Sequence, residues 1–347
     1  MRINFVTRSE WFDMSRLHLR PRANDLVMEE GEGLATVVGN HAGGGMQSKY
    51  LNVAKACPDA HFVGDFNSFT EPIAIFEPLL FWGNDFKGQP EYFNEKRDAL
   101  EAYQGLKLLW AEEQTIFRWF GYERGQILEQ MHGILVCNEY QEQLVRAIAG
   151  DLPVLKLYTP IDENLYRPRP KKPQVVAIGK VGLQKNVDTL IEFFKLLGDD
   201  VHKIYIGNAG MWGQTEYDAD PLLEREIASV VDEHIPSATA SQVARILGES
   251  LCYINVSLYD VGCLSFLEAS LAGCWAFCWE YHLMFDEYSN VVRFADIAEA
   301  REQILERVHG ERIACDALRD EVLAKHSFSA FRENLESVVK EVIFDAS

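Results

Sequence analysis

The chain has 347 residues, of which 48% are hydrophobic and 25% charged, and its formal net charge at pH 7 is −20. This length favours two domains over a single core, and the acidic balance argues against a protein that coats nucleic acid along its length. No apolar run approaches the roughly 20 residues that a helix needs to cross a bilayer. The seven cysteines are odd in number and scattered, so we expect a cytoplasmic protein, or one of the host cytoplasm if the gene belongs to a phage.

A basic and aromatic segment over residues 2–22 comes first in the chain. Within it, Arg8, Trp11 and Arg16 are candidates for binding a phosphate-bearing acceptor, with the indole stacked on a base. A solvated loop whose arginine stems pack on the surface explains the same residues. The sequence leaves both interpretations open.

Short apolar runs then alternate with helical patterns, which predicts parallel sheets with covered faces. In the first half we predict strands near residues 3–6, 35–38, 62–64, 73–76, 106–110 and 134–137. Between the second and third of these lies a turn from His41 that contains three consecutive glycines, followed by a predicted helix over residues 46–56. Gly44 and Gly45 in this turn let the backbone approach a ligand closely.

Prolines within residues 159–173 predict a linker, after which the second half continues. Its predicted strands lie near residues 175–178, 204–206, 253–256 and 276–278, and a last helix is predicted over residues 330–344. Gly179 and Lys180 follow the first of these strands in a turn that also contains Lys185, and Gly207 follows the second. The two lysines place positive charge beside this turn.

Asp260 follows the third strand and precedes a predicted helix that contains Glu268. The amide groups of Cys263, Leu264 and Ser265 therefore lie near the N-terminus of this helix. Unpaired donors and the aligned dipole make such an end a site for an anion.

These motifs, together with the segment from Tyr158 to Pro168, resemble the C-terminal half of the retaining nucleotide-sugar glycosyltransferases of the GT-B fold, especially family four. That family carries two acids separated by seven residues and, upstream, a Gly-Arg/Lys-x4-Lys element. The resemblance implies an α/β protein with two Rossmann-like domains facing each other across a cleft. It implies an acceptor domain over residues 1–165, a donor domain over 166–329 and a helix over 330–347 that crosses back to the first domain.

The resemblance also implies roles for individual residues. Lys180 and Lys185 stabilise the leaving diphosphate, Glu268 accepts hydrogen bonds from the ribose, and Asp260, where the family usually has Glu, binds the transferred sugar. The expected donor contacts further include Gly179, Gly207, Gly44, Gly45, Cys263, Leu264 and Ser265. A histidine of the first domain commonly faces the sugar in this family, and here His41 or Glu112 is the candidate to replace it.

We therefore expect a metal-independent retaining glycosyltransferase that uses a nucleoside-diphosphate sugar, with uridine diphosphate (UDP) as the expected carrier and no cofactor. The cysteines include no Cys-x2-Cys pair of the kind that binds zinc. The acceptor is either a glycan or small metabolite, or a hydroxymethylated base in DNA. The alternative from another class is a nucleotide-binding protein of the same fold that has lost turnover. The sequence carries no signal for an oligomeric state.

Overall fold

The computed structural model describes residues 3–6, 26–31, 34–39, 45–63, 72–76, 97–111, 128–209, 221–258, 260 and 262–345. These residues divide into two compact units. The first unit takes its residues from Met1–Gly39, Tyr50–Thr159 and Phe331–Ser347, and the second from Asn40–Lys49 and Pro160–Ala330.

The division after Thr159 lies earlier in the chain than the boundary that we predicted after residue 165. Local hydrogen bonds explain the difference. The N–H group of Ile161 donates to the carbonyl of His326 at 2.9 Å, and the Tyr166 hydroxyl donates to Glu268 at 2.8 Å. The end of the predicted linker is therefore part of the second unit.

The N-terminal part of the chain supplies one six-stranded sheet. In chain order the elements of this part of the chain are β1 (Asn4–Val6), β2 (Leu26–Gly31), β3 (Leu34–Gly39), α1 (Gly45–Ala56), β4 (His61–Val63), β5 (Ile73–Phe76), β6 (Leu106–Trp110), β7 (Gly133–Val136), α2 (Glu139–Arg146) and β8 (Val154–Lys156). The sheet is parallel, with the order β4-β1-β5-β6-β7-β8. Every residue of β5 and β7 is buried, as expected for strands covered on both faces.

One strand assignment from the sequence needs correction. The strand predicted near residues 35–38 exists as β3, but it pairs antiparallel with β2 in a separate two-stranded sheet. Residues 32 and 33 alone connect the two strands, which is too short for the crossover that parallel strands require. When only the strands of the parallel sheet are counted, α1 therefore follows the first strand, β1, whereas we predicted it after the second strand.

The second unit contains another parallel six-stranded sheet. From residue 172 the elements are β9 (Lys172–Ile178), α3 (Val187–Leu197), β10 (His202–Ile206), α4 (Pro221–Val230), β11 (Glu233–Ile235), α5 (Ala240–Glu249), β12 (Ser250–Asn255), α6 (Leu264–Leu271), β13 (Trp275–Trp279), β14 (Val292–Phe294), α7 (Ile297–His309), α8 (Asp316–His326) and α9 (Phe328–Asp345). The strand order is β11-β10-β9-β12-β13-β14. Counted within this sheet, it is the 3-2-1-4-5-6 order of dinucleotide-binding folds.

Most of α9 belongs to the first unit, although it directly follows the second in sequence. The rings of Phe331 and Trp110 stack with centroids 5.9 Å apart. The side-chain oxygen of Asn334 accepts a hydrogen bond from the Tyr158 amide at 3.3 Å. Within the described ranges, no helix is both long enough and apolar enough to cross a bilayer.

Candidate functional site

The predicted donor residues of the second unit lie at the carboxyl ends of β9, β10 and β12, which are neighbours in the sheet. The strand order reverses between β9 and β12, because β10 lies on the other side of β9. In open α/β sheets, ligands bind in the crevice at this reversal. The loop after β9 carries Lys180 and Lys185, and the loop after β12 carries Asp260.

The glycines predicted in these loops are held together by backbone contacts. The N–H of Gly179 donates to the carbonyl of Ile206 at 3.0 Å, and the N–H of Val181 donates to the carbonyl of Asn208 at 3.0 Å. The Tyr205 hydroxyl donates to the carbonyl of Gly179 at 2.8 Å. Gly207 has a φ of +147°, which favours glycine. The loops after β9 and β10 therefore form one ordered backbone surface.

The Lys185 side chain crosses this surface and reaches the loop after β12. A Cβ on Gly179 would lie 3.3 Å from both Cγ and Cδ of Lys185, so the lysine stem packs directly over that glycine. The ammonium group forms an ion pair with the carboxylate of Asp260. The Leu258 amide also donates to the carbonyl of Gln184 at 2.9 Å, which ties the same two loops together.

Both partners of this ion pair are largely shielded from water, since the side chains of Lys185 and Asp260 are 21% and 14% exposed. Burial is the largest single effect on the pKa of Lys185 and lowers it, but the charges of Asp260 and Cys263 and the hydrogen bond to Asp260 together outweigh burial, so the net pKa is above the ordinary value. Burial raises the pKa of Asp260, while the charge and hydrogen bond of Lys185 lower it below the ordinary value. The pair is therefore ionised at neutral pH.

Helix α6 begins beside Asp260 without a side-chain cap. Cys263 occupies the cap position and its side chain makes no capping hydrogen bond. Its carbonyl accepts the N–H of Phe266 at 3.0 Å, so the amide of Phe266 is used within the helix, while the predicted anion donors Leu264 and Ser265 precede it. Burial raises the pKa of the Cys263 thiol to about 11, which keeps it neutral beside the anion site.

Glu268 lies further along α6 and contacts Tyr166, which belongs to the segment from Tyr158 to Pro168. Its carboxylate accepts a hydrogen bond from the Tyr166 hydroxyl at 2.8 Å. Burial raises the pKa of Glu268 to about 7, although the hydrogen bond from Tyr166 acts to lower it. The carboxyl group can therefore gain or lose its proton near neutral pH.

Sequence reasoning missed His282, which follows β13 at the same sheet edge. It is 5% exposed, and among the described residues its Nε2 has no hydrogen-bond partner. Burial lowers its pKa to about 4, with opposing effects from Asp260 and Lys185. A single histidine forms no motif. Its position just after a strand was the one sequence signal that could have identified it as a site residue.

The remaining predicted residues differ in how the structure places them. Lys180 is partly exposed and directly follows Gly179. Gly45 is the first residue of α1, whereas we predicted it in the preceding turn. The other predicted site residues lie outside the described part of the chain: Arg8, Trp11, Arg16, His41, Gly44 and Glu112.

The described residues contain no group of three His, Cys, Asp or Glu side chains placed to hold a metal ion. Cys263, Cys274 and Cys278, which lie nearest one another in sequence, are free and buried. The Cys274 thiol donates to the carbonyl of Leu247 at 3.1 Å, as a packed thiol does.

No protein-family model matches the sequence, and no curated protein matches it. Solved structures do match. Sucrose-phosphate synthase from Thermosynechococcus elongatus has a TM-score of 0.66 and 13% identity over 100% of both chains. Anabaena HepE, in complex with UDP and glucose, has a TM-score of 0.66 and 10% identity over 98% of this chain and 100% of that chain.

TarM has a TM-score of 0.57 and 13% identity over 84% of this chain, which spans 57% of TarM. At such identities the likeness establishes the fold. These neighbours share the GT-B architecture, so the predicted fold class, α/β with two Rossmann-like domains, is confirmed.

Proposed function

We propose that this chain, which has the GT-B fold, moves a sugar from a nucleoside-diphosphate donor to an acceptor hydroxyl. The observation that carries the proposal is the Lys185–Asp260 pair at the point where the strand order of the second sheet reverses. One loop supplies a cation there, the next supplies a carboxylate, and an uncapped helix N-terminus adjoins them. Such an arrangement suits a ligand that joins an anion to a group rich in hydroxyls.

The diphosphate takes the cationic side of this site. Breaking the bond between the anomeric carbon and the diphosphate oxygen places negative charge on the leaving group, and donors fixed in advance stabilise that charge. Lys185 is held by its packing over Gly179, and Lys180 lies in the same loop. The amides at the start of α6 complete the set, so the proposed reaction requires no metal.

The sugar takes the side of Asp260, whose carboxylate accepts hydrogen bonds from its hydroxyls. Glu268 accepts hydrogen bonds from the ribose of the donor. The reaction proceeds with retention of configuration. The acceptor oxygen forms its bond to the anomeric carbon on the face that the diphosphate leaves, and the acceptor proton passes to a diphosphate oxygen. No separate protein base is then needed.

Uridine diphosphate is the proposed carrier, and the complex of HepE with UDP and glucose supports this choice. The proposed acceptor is a hydroxyl of a glycan or metabolite. A hydroxymethylated DNA base is the second acceptor class, and the basic segment containing Arg8 and Arg16 favours it. We propose that the protein acts in the cytoplasm.

A panel of UDP-, ADP-, GDP- and TDP-sugars tests the proposal, with release of the nucleoside diphosphate as the signal. Each donor is assayed alone, with a mixture of glycan acceptors, and with DNA that does or does not contain hydroxymethylated bases. Turnover with one donor supports glycosyl transfer, and its dependence on the acceptor identifies the acceptor class. Tight nucleotide binding with no turnover under any condition would instead favour the inactive alternative.

A further inference from the structure

His282 combines a well-anchored backbone with an unused side chain. Its N–H donates to the carbonyl of Trp279 at 3.1 Å, and its carbonyl accepts a hydrogen bond from Arg293 at 3.1 Å. The imidazole packs on Phe285 with centroids 4.8 Å apart. Among the described residues, however, its buried Nε2 has no hydrogen-bond partner. An unsatisfied buried polar atom costs roughly 1–3 kcal/mol, so its presence calls for an explanation.

The position of His282 connects it to Asp260. Strand β13, which precedes His282, pairs with β12, which precedes Asp260. After burial, the largest influence on the pKa of His282 is the Asp260 carboxylate, which raises it, while Lys185 and Arg293 lower it. Arg293 is itself paired with Asp286 at 3.3 Å. In the ligand-free protein the balance keeps the imidazole neutral, with a pKa of about 4.

If the proposed function holds, two anionic groups compete for the ammonium group of Lys185. In the ligand-free protein its ammonium group is paired with Asp260. A bound diphosphate, carrying at least two negative charges, draws the same ammonium group away. Asp260 is only 14% exposed, so it would then be a largely buried carboxylate without its cation. Removing one partner of a buried ion pair is strongly unfavourable unless another partner replaces it.

We propose that His282 is a positioning residue that replaces Lys185 as the partner of Asp260 when a diphosphate binds. The imidazole takes up one proton from solvent and donates a hydrogen bond from Nε2 to one Asp260 oxygen. Release of the diphosphate returns Lys185 to Asp260 and the proton to solvent. The second Asp260 oxygen remains directed at the sugar, so His282 orients the carboxylate only while the donor is bound.

Calorimetry with UDP tests the proton uptake. UDP is titrated into the protein at pH 7 in buffers with different ionisation enthalpies, which gives the protons taken up per UDP bound. On binding UDP, the wild type is expected to take up about one proton more than His282→Gln, because only the wild type has the imidazole that titrates. His309→Asn, which removes an exposed histidine on α7, is expected to behave like the wild type. Equal uptake by the wild type and His282→Gln would overturn the proposal.

A ligand-free crystal structure of Lys185→Met tests the partner exchange independently of the proposed function. Without the ammonium group, Asp260 is expected within hydrogen-bond distance of His282 Nε2. Lys185→Gln serves the same purpose if the methionine variant does not fold. An Nε2 that still has no partner in the variant contradicts the inference. If UDP does not bind the wild type but the variant shows the new hydrogen bond, the proposed UDP site is wrong, while the ability of His282 to replace Lys185 as the partner of Asp260 stands.

Discussion

Gly207 approaches Gly179 so closely that a Cβ on Gly207 would lie 1.8 Å from the carbonyl oxygen of Gly179. This contact joins the loops after β9 and β10, and it involves backbone that cannot turn aside as a side chain can. Gly207 also has a φ of +147°. The geometry of the candidate donor site therefore depends on the absence of a side chain at residue 207.

Gly207→Ala is expected to lower the free energy of unfolding by about 2–6 kcal/mol, since it adds overpacking to backbone strain. Urea denaturation measures the change. Gly198→Ala is the matched control, because Gly198 has a φ of +70° and nothing within 4 Å of an added Cβ. Strain alone costs about 1–3 kcal/mol. Equal losses in the two variants would show that the contact with Gly179 relaxes without cost.

Lys185→Ala is expected to lower turnover by roughly 10²–10³-fold, the effect of losing one strong donor to the transition-state charge. Release of nucleoside diphosphate at saturating donor measures it. Lys195→Ala is the control, because Lys195 is an exposed lysine of α3 paired only with surface glutamates among the described residues. If Lys185→Ala turns over as fast as Lys195→Ala, the lysine has no part in the reaction.

Glu268 predicts a dependence of stability on pH. Its pKa is raised from 4.5 to about 7 by burial, so the folded protein binds more protons than the unfolded chain between these values. The contribution of Glu268 to the free energy of unfolding therefore falls as pH rises from about 4.5 to about 7, and it changes no further above that range. Glu268→Gln removes the contribution, and urea denaturation at pH 5.5, 6.5 and 8 measures the difference.

Tyr166→Phe provides the companion experiment. The Tyr166 hydroxyl lowers the pKa of Glu268, so its removal is expected to move the pH window upward. A difference in stability between wild type and Glu268→Gln that stays constant with pH would mean that the carboxyl titrates normally.

Chelation is expected to leave turnover unchanged, because the proposed charge on the leaving group is balanced by Lys180, Lys185 and helix amides. Turnover is measured before and after dialysis against EDTA, with the dialysed protein assayed again after addition of Mg²⁺ or Mn²⁺. Activity that is lost with EDTA and restored by either ion would show that a metal ion balances the charge on the leaving group.

Much of the fold could be predicted because its strands are short apolar runs buried on both faces. Ser250–Asn255 is buried at every position, and the run containing Ile254 was recognisable as a strand. Strand β2 was missed because its Glu29 and Glu30 break the apolar run, and its antiparallel pairing with β3 depends on a connection of two residues. Strand β8 was also missed, because its two apolar residues, Val154 and Leu155, stand between Pro153 and Lys156.

The candidate site could also be predicted only in part. Gly179 and Gly207 were identified from their positions after strands, since glycine there signals a close approach of backbone. The pairing of Lys185 with Asp260 across 75 residues, and of Tyr166 with Glu268 across 102, depends on strand order that no local pattern contains. His282 was missed for the same reason, because its neighbour Asp260 lies on the loop of another strand.

A crystal structure of the protein with UDP tests the central claim most directly. We predict the diphosphate at the carboxyl ends of β9 and β12, with its oxygens within hydrogen-bond distance of Lys185 Nζ and of the amides of Leu264 or Ser265. A diphosphate bound away from these groups, with Lys185 still paired to Asp260, would contradict the account.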